Sequence, residues 1–151
     1  MADTSITPSA GSLVLSDSIT QLLVINDDQG DGVTTFDDQS AANRTVTVAG
    51  SAQYDTAQAP TGMTSSMLLD GSGDCISVVD DPSLEFGNGD FAIEVAFRVP
   101  NTTGTHDLIG KRIGNNFGPF LFYLNGSALQ AYLSSNGTSW NVVSAGAVGT
   151  V

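Results

Sequence analysis

Positive charge, glutamate, histidine and cysteine are all scarce in these 151 residues, and each scarcity closes off a class of function. Four bases, Arg44, Arg98, Lys111 and Arg112, stand against 16 acids, for a formal net charge of −12. A surface of that sign repels a phosphate backbone and an anionic membrane alike. Neither nucleic acid nor a membrane is therefore an expected partner, and the charge suits solubility, a basic protein partner or cation binding. With a single cysteine, Cys75, no disulfide can form within the chain. Its place in the apolar run Cys75-Ile76-Ser77-Val78-Val79 predicts a small buried hydrophobe. The one histidine, His106, has no second imidazole with which to hold a metal. No G-x-S-x-G element accompanies it for a Ser-His-Asp site, so His106-Asp107 is expected to be structural. No run approaches the roughly 20 apolar residues of a membrane span. The opening Met1-Ala2-Asp3-Thr4-Ser5 lacks the basic-then-apolar order of a secretory signal, which predicts synthesis in a cytosol and release by lysis inside a particle.

What is present is β chemistry. Charged residues make up 13% of the chain, half the usual share of about 25%. Ser, Thr, Asn, Gln and Gly carry the polarity instead, and these fit pleated surfaces and turns. No convincing helical period runs for ten residues or more, and the apolar pieces are short, β-branched and bounded by Gly, Asn, Asp or Pro. The pattern predicts strands near Gln21–Asn26, Thr45–Ala49, Ser66–Leu69, Cys75–Val79, Phe91–Val99, Asp107–Gly110, Phe120–Leu124, Ala128–Ser134 and Asn141–Ser144. The clearest is Phe91–Val99, where Phe91, Ile93, Val95, Phe97 and Val99 alternate onto one side and Ala92, Glu94, Ala96 and Arg98 onto the other. Asn125-Gly126 and Asn136-Gly137 predict turns that make the last three strands an antiparallel meander. Residues 1–20, small, polar and containing Pro8 and Gly11, are expected to form an extended arm or anchor, and residues 21–151 a single antiparallel β-sandwich domain.

Two stretches carry a resemblance. Leu68-Leu69-Asp70-Gly71-Ser72-Gly73-Asp74-Cys75-Ile76-Ser77-Val78 and Phe86-Gly87-Asn88-Gly89-Asp90-Phe91-Ala92-Ile93-Glu94-Val95-Ala96-Phe97 resemble the DGxxDY-type hairpin and FGxGDFTIEFW-type strand of the concanavalin A-like, laminin-G-like jelly-roll superfamily. Cys75 stands where an aromatic is common there, and Ala96-Phe97 where a Phe-Trp pair is common. The resemblance implies a jelly roll over Gln21–Val151 that stops short of the family's later strands, and so either a piece of a longer polypeptide or an incomplete sandwich whose edges a neighbouring subunit would complete. The phrase Ser5-Ile6-Thr7-Pro8-Ser9-Ala10-Gly11-Ser12-Leu13-Val14-Leu15 resembles openings of bacteriophage structural proteins.

The superfamily includes glucanases, whose catalytic carboxyls sit in an ExDxxE-type pattern on one strand. Here Glu85 and Glu94 are the only glutamates, and neither has Asp two residues on, so no catalytic residue is assigned and the chain is read as non-enzymatic. Calcium is a cofactor candidate at Asn26-Asp27-Asp28-Gln29-Gly30-Asp31-Gly32 and at Asp70-Gly71-Ser72-Gly73-Asp74, which have the oxygen-rich composition it needs. Ordinary turn chemistry accounts for the same residues and is favoured, so no metal ligand is assigned. A carbohydrate site is a candidate at Trp140, Tyr132 and Asn136, which flank the Asn136-Gly137 turn, although a core position is favoured for Trp140. Phe117, Phe120 and Phe122 are expected in the core. The function expected from all this is a virion surface protein, a capsid decoration, knob or fibre subunit. Its partners would be other capsid or tail proteins, further copies of itself, and a cell-surface glycan. The alternative is an autonomous carbohydrate-binding, lectin-like module.

Overall fold

The computed structural model describes residues 20–22, 24, 29–86, 89–112 and 117–151. The expected arm, save Thr20, and half of the expected strand Gln21–Asn26 lie outside the described residues, as do Asn26, Asp27 and Asp28 of the first calcium candidate. Eight strands follow in order: β1 (Val46–Ala49), β2 (Gln53–Asp55), β3 (Ser66–Leu68), β4 (Cys75–Val78), β5 (Thr105–Lys111), β6 (Phe120–Asn125), β7 (Ala128–Leu133) and β8 (Val143–Thr150). One 3-10 turn, Pro82–Leu84, is the only helical element among the described residues. The protein is all-β and its ladders are antiparallel, in three sheets of order β1-β4, β2-β3 and β5-β6-β7-β8. The chain divides into two compact units, Met1–Leu84 and Glu85–Val151.

In the N-terminal unit, alternation decides what is inside. Val46 and Val48 turn inward on β1, and Ile76 and Val78 do so on β4, paired Val48 to Ile76 and Val46 to Val78. Val46, Val48 and Ile76 pack with Val33 and Met67 against buried Phe36, Ala52 and Tyr54, and the rings of Phe36 and Tyr54 lie 4.5 Å apart. Thr47, Ala49, Cys75 and Ser77 take the other side. Cys75 is therefore exposed, correcting the buried hydrophobe expected from its apolar surroundings: a two-stranded ribbon has one wet face, and the register places Cys75 on it. A thiol-reactive probe added to native protein should modify Cys75 fully without denaturant. Protection until unfolding would return the thiol to the interior.

The loop before β1 is held by a buried acid. The Asp38 side chain has no exposed surface. Its carboxylate accepts the backbone N–H groups of Ser40 and Arg44, each at 2.9 Å, and lies 3.6 Å from the Arg44 guanidinium. That guanidinium also reaches Asp81 at 3.6 Å and hydrogen-bonds Ser83, tying this loop to the end of the unit.

In the C-terminal unit β5 to β8 form a meander. Only one of the two central turn residues of its β6–β7 hairpin has positive φ. Asn125 pairs with Ala128, so the loop is Gly126-Ser127, one residue later than the Asn125-Gly126 expected, and Gly126 supplies φ 60° at the first central position. The sheet has two unlike faces. One carries Ile109, Phe120, Phe122, Leu124, Leu129, Ala131 and Leu133, as the pairings of Phe122 with Ile109 and Ala131, and of Leu124 with Leu129, require. Leu124 on this face is fully buried. The other carries Asp107, Leu121, Tyr123, Gln130 and Tyr132.

Phe91–Val99 departs from expectation. Its alternation is retained: Ile93, Val95 and Phe97 line a hollow over the first face with Leu108, Ile109, Phe122, Leu129 and Val148, and Phe91 stacks on Phe86 at 4.0 Å. Yet among the described residues its backbone joins no ladder and no other backbone hydrogen bond. Alternation reports which residues share a side, and that side is here only partly covered. It does not report a neighbour in the plane of the sheet, and here none is present.

Candidate functional site

The second face of the C-terminal sheet is aromatic. Tyr132 lies opposite Leu121 and Tyr123 opposite Gln130, which makes the two tyrosines diagonal neighbours across β6 and β7. Their rings are nearly parallel, 5° apart in plane, with centroids at 5.7 Å. Trp140 continues the row 5.1 Å from Tyr132, and Phe117 meets it edge-on at 5.6 Å. Exposure rises along the row: Tyr123 is buried, Tyr132 and Trp140 are half-buried, and Phe117 is 42% exposed. The core position expected of Phe117 is thus overturned: it lies outside any strand and remains exposed beside Trp140. Phe120, by contrast, is buried as expected.

Tyr123 donates its hydroxyl to Gln130 Oε1. Burial, and then the neighbouring Tyr132, push its pKa up to about 12, so it stays a neutral donor through the physiological range.

Trp140 is placed by a pinned loop. Asn136 Oδ1 accepts the N–H groups of Thr138 and Ser139 at 2.9 and 3.1 Å, and its Nδ2 donates to Ser139 Oγ at 3.3 Å. Asn141 closes the other side, its Oδ1 accepting from Ser135 N–H at 3.0 Å and its Nδ2 donating to Ser135 Oγ at 2.9 Å. These are side-chain mimics of turns, a role that suits asparagine. Of the three candidates drawn from the sequence, Tyr132 and Trp140 are brought together. Asn136 lies beside them with its amide committed to the loop. Tyr123, Phe117 and Gln130 complete the patch and were not among the candidates. The alternation of the two hairpin strands was the available signal for Tyr123, and nothing in the sequence pointed to Phe117.

Electrostatics set this patch apart. No Asp, Glu, Lys or Arg occurs after Arg112. The N-terminal unit holds twelve aspartates against Arg44 alone, net −11, whereas the C-terminal unit holds four acids against three bases, net −1. The acids of that second unit are partly paired, Glu85 with Lys111 at 2.6 Å and Asp107 with Arg112 at 2.7 Å. His106 and Asp107 point to opposite faces of β5, as their partners Leu124 and Tyr123 require, and so do not form a dyad.

The acidic turns are occupied by N–H donors. Asp74 accepts Asp70 N–H at 2.8 Å and Ser51 N–H at 2.6 Å, and these bonds hold its carboxyl below the usual carboxylate range. Asp31 is lowered likewise by the backbone N–H and then the hydroxyl of Thr56. A cation at either carboxylate would compete with those donors for the same negative charge. No group of three His, Cys, Asp or Glu side chains able to hold a metal occurs among the described residues.

Comparison with family models, curated proteins and solved structures returns no match, so the aromatic face is interpreted from its own geometry.

Proposed function

We propose that this chain is a non-enzymatic binding protein that holds a neutral glycan against the Tyr132–Trp140–Phe117 row. In this reading it is a bacteriophage virion surface protein, a capsid decoration, knob or fibre subunit, built on a concanavalin A-like jelly-roll plan. The observation that carries the binding role is the aromatic row itself, graded from buried to exposed and set in a stretch free of charge. A sugar ring has apolar C–H faces and a polar rim. Aromatic side chains take the first, and amides and hydroxyls take the second. Gln130, Thr138 and Ser139 lie on the strand and loop that carry Tyr132 and Trp140, and supply groups of the second kind. The row itself carries no charge, and Asp107 on the same face is paired with Arg112 at 2.7 Å, which favours a neutral ligand over an acidic one, since electrostatic complementarity governs partner choice.

The test is a titration of soluble neutral polysaccharides, a glucan, a mannan and a galactan, followed by fluorescence of Trp140, the sole tryptophan. A saturable change is expected with at least one class. Trp140→Ala or Tyr132→Ala should weaken binding by about 10- to 100-fold, the cost of truncating an aromatic anchor. Flat titrations with all three classes would sink the glycan reading.

A further inference from the structure

We infer that Phe91–Val99 is a self-pairing strand: it joins the same segment of a second copy, antiparallel, about a two-fold axis at Ala96. This goes beyond the glycan reading and stands apart from it. Three observations lead here. The segment alternates cleanly and lays Ile93, Val95 and Phe97 on the sheet beneath, yet among the described residues its own backbone groups are unpaired. Its apolar side is incompletely covered, with Val95 41% and Phe97 37% exposed. Its outer side reads Ala92, Glu94, Ala96, Arg98, an acid and a base placed symmetrically about a small residue.

That last feature selects the occupant. With Ala96 opposite Ala96, antiparallel pairing sets Glu94 of each copy opposite Arg98 of the other, on one face. On the other face it sets Val95 opposite Phe97 and Ile93 opposite Val99. Opposite charges and apolar pairs directly across a ladder are the favourable combinations, and an isologous contact makes each of them twice. The pairing lies in the unit of net charge −1. The free edge of β8 is the rival surface, but register shifts against β7 and the left-handed Ala145 at φ 51° twist it away from regular pairing.

The experiment is a set of absolute masses, by light scattering over a concentration series, for the full chain and four preparations. The wild type should approach the dimer mass. Glu94→Arg alone and Arg98→Glu alone should each associate at least tenfold more weakly, because each sets like charges across the ladder. An equimolar mixture of these two variants should recover the dimer, since one chain then presents two bases and the other two acids. The double variant Glu94→Arg/Arg98→Glu should dimerise by itself. Recovery on mixing also shows that neither single variant failed through misfolding. A monomeric wild type at every concentration, or single variants that dimerise as well as wild type, or a mixture that stays monomeric, would overturn the inference. None of these outcomes depends on glycan binding, so the two proposals fail separately.

Discussion

Asp38→Ala is expected to destabilise the N-terminal unit by about 3–5 kcal/mol, the usual cost of removing one partner from a buried ion pair. The size follows from what is left behind. The Ser40 and Arg44 backbone N–H groups each lose a 2.9 Å acceptor, and the Arg44 guanidinium loses the one fully buried charge beside it. A domain of this size has only about 5–15 kcal/mol in hand, so the variant should melt far earlier and lose hydrogen-exchange protection at Tyr54, the buried centre of that unit. Asp38→Asn keeps the volume and one acceptor oxygen and should recover part of the loss. Unchanged protection at Tyr54 in Asp38→Ala would mean that the carboxylate is a bystander.

Leu124→Ala should cost the C-terminal unit about 3–4 kcal/mol. Leu124 is fully buried, in the middle of the first face of the meander, between Leu129 of β7 and His106 of β5. Both its neighbours are fixed by ladder hydrogen bonds, so the cavity cannot collapse cheaply. Trp140 belongs to the same unit, and the urea midpoint of its fluorescence is the measurement. Val148→Ala, on a residue 56% exposed, is the control and should stay within about 0.5 kcal/mol of wild type. Equal midpoints for the two variants would show that the first face is not the core of the unit.

How much of this was legible in the sequence depends on the kind of fact. Two short apolar runs, Phe120–Leu124 and Ala128–Ser134, with Asn125-Gly126 between them, carried strand, partner and turn, to within one residue at Gly126. Alternation marked Phe91–Val99 and was right that Ile93, Val95 and Phe97 share the side toward the sheet, although Val95 and Phe97 remain exposed. It was silent about a ladder, because pairing is decided by what lies alongside, not by the strand's own residues. β2 went unseen because Gln-Tyr-Asp has one inward residue and no period to detect. Cys75 was misjudged because composition of the run Cys75–Val79 was weighed above its phase. At the site, Tyr132 and Trp140 could be paired from their places around one turn. Phe117 could not, since it reaches Trp140 from an irregular segment 23 residues earlier. Asn136 shows the reverse: the residue type fits a sugar, and the loop claims it first.

The charge-free stretch after Arg112 has a consequence for the conditions under which the protein can work. Strands β6, β7 and β8 and the pinned loop contain no carboxylate, imidazole, ammonium or guanidinium. Their most perturbed acid, Tyr123, ionises only near 12. Dissolved salt screens charges and, on this face, has only the Asp107–Arg112 pair at β5 to act on, and moderate acid finds no proton acceptor within these three strands or the loop. The aromatic face should therefore hold its shape and its grip alike in seawater, in soil water and in an acid gut, while the aspartate-rich first half responds to every such change.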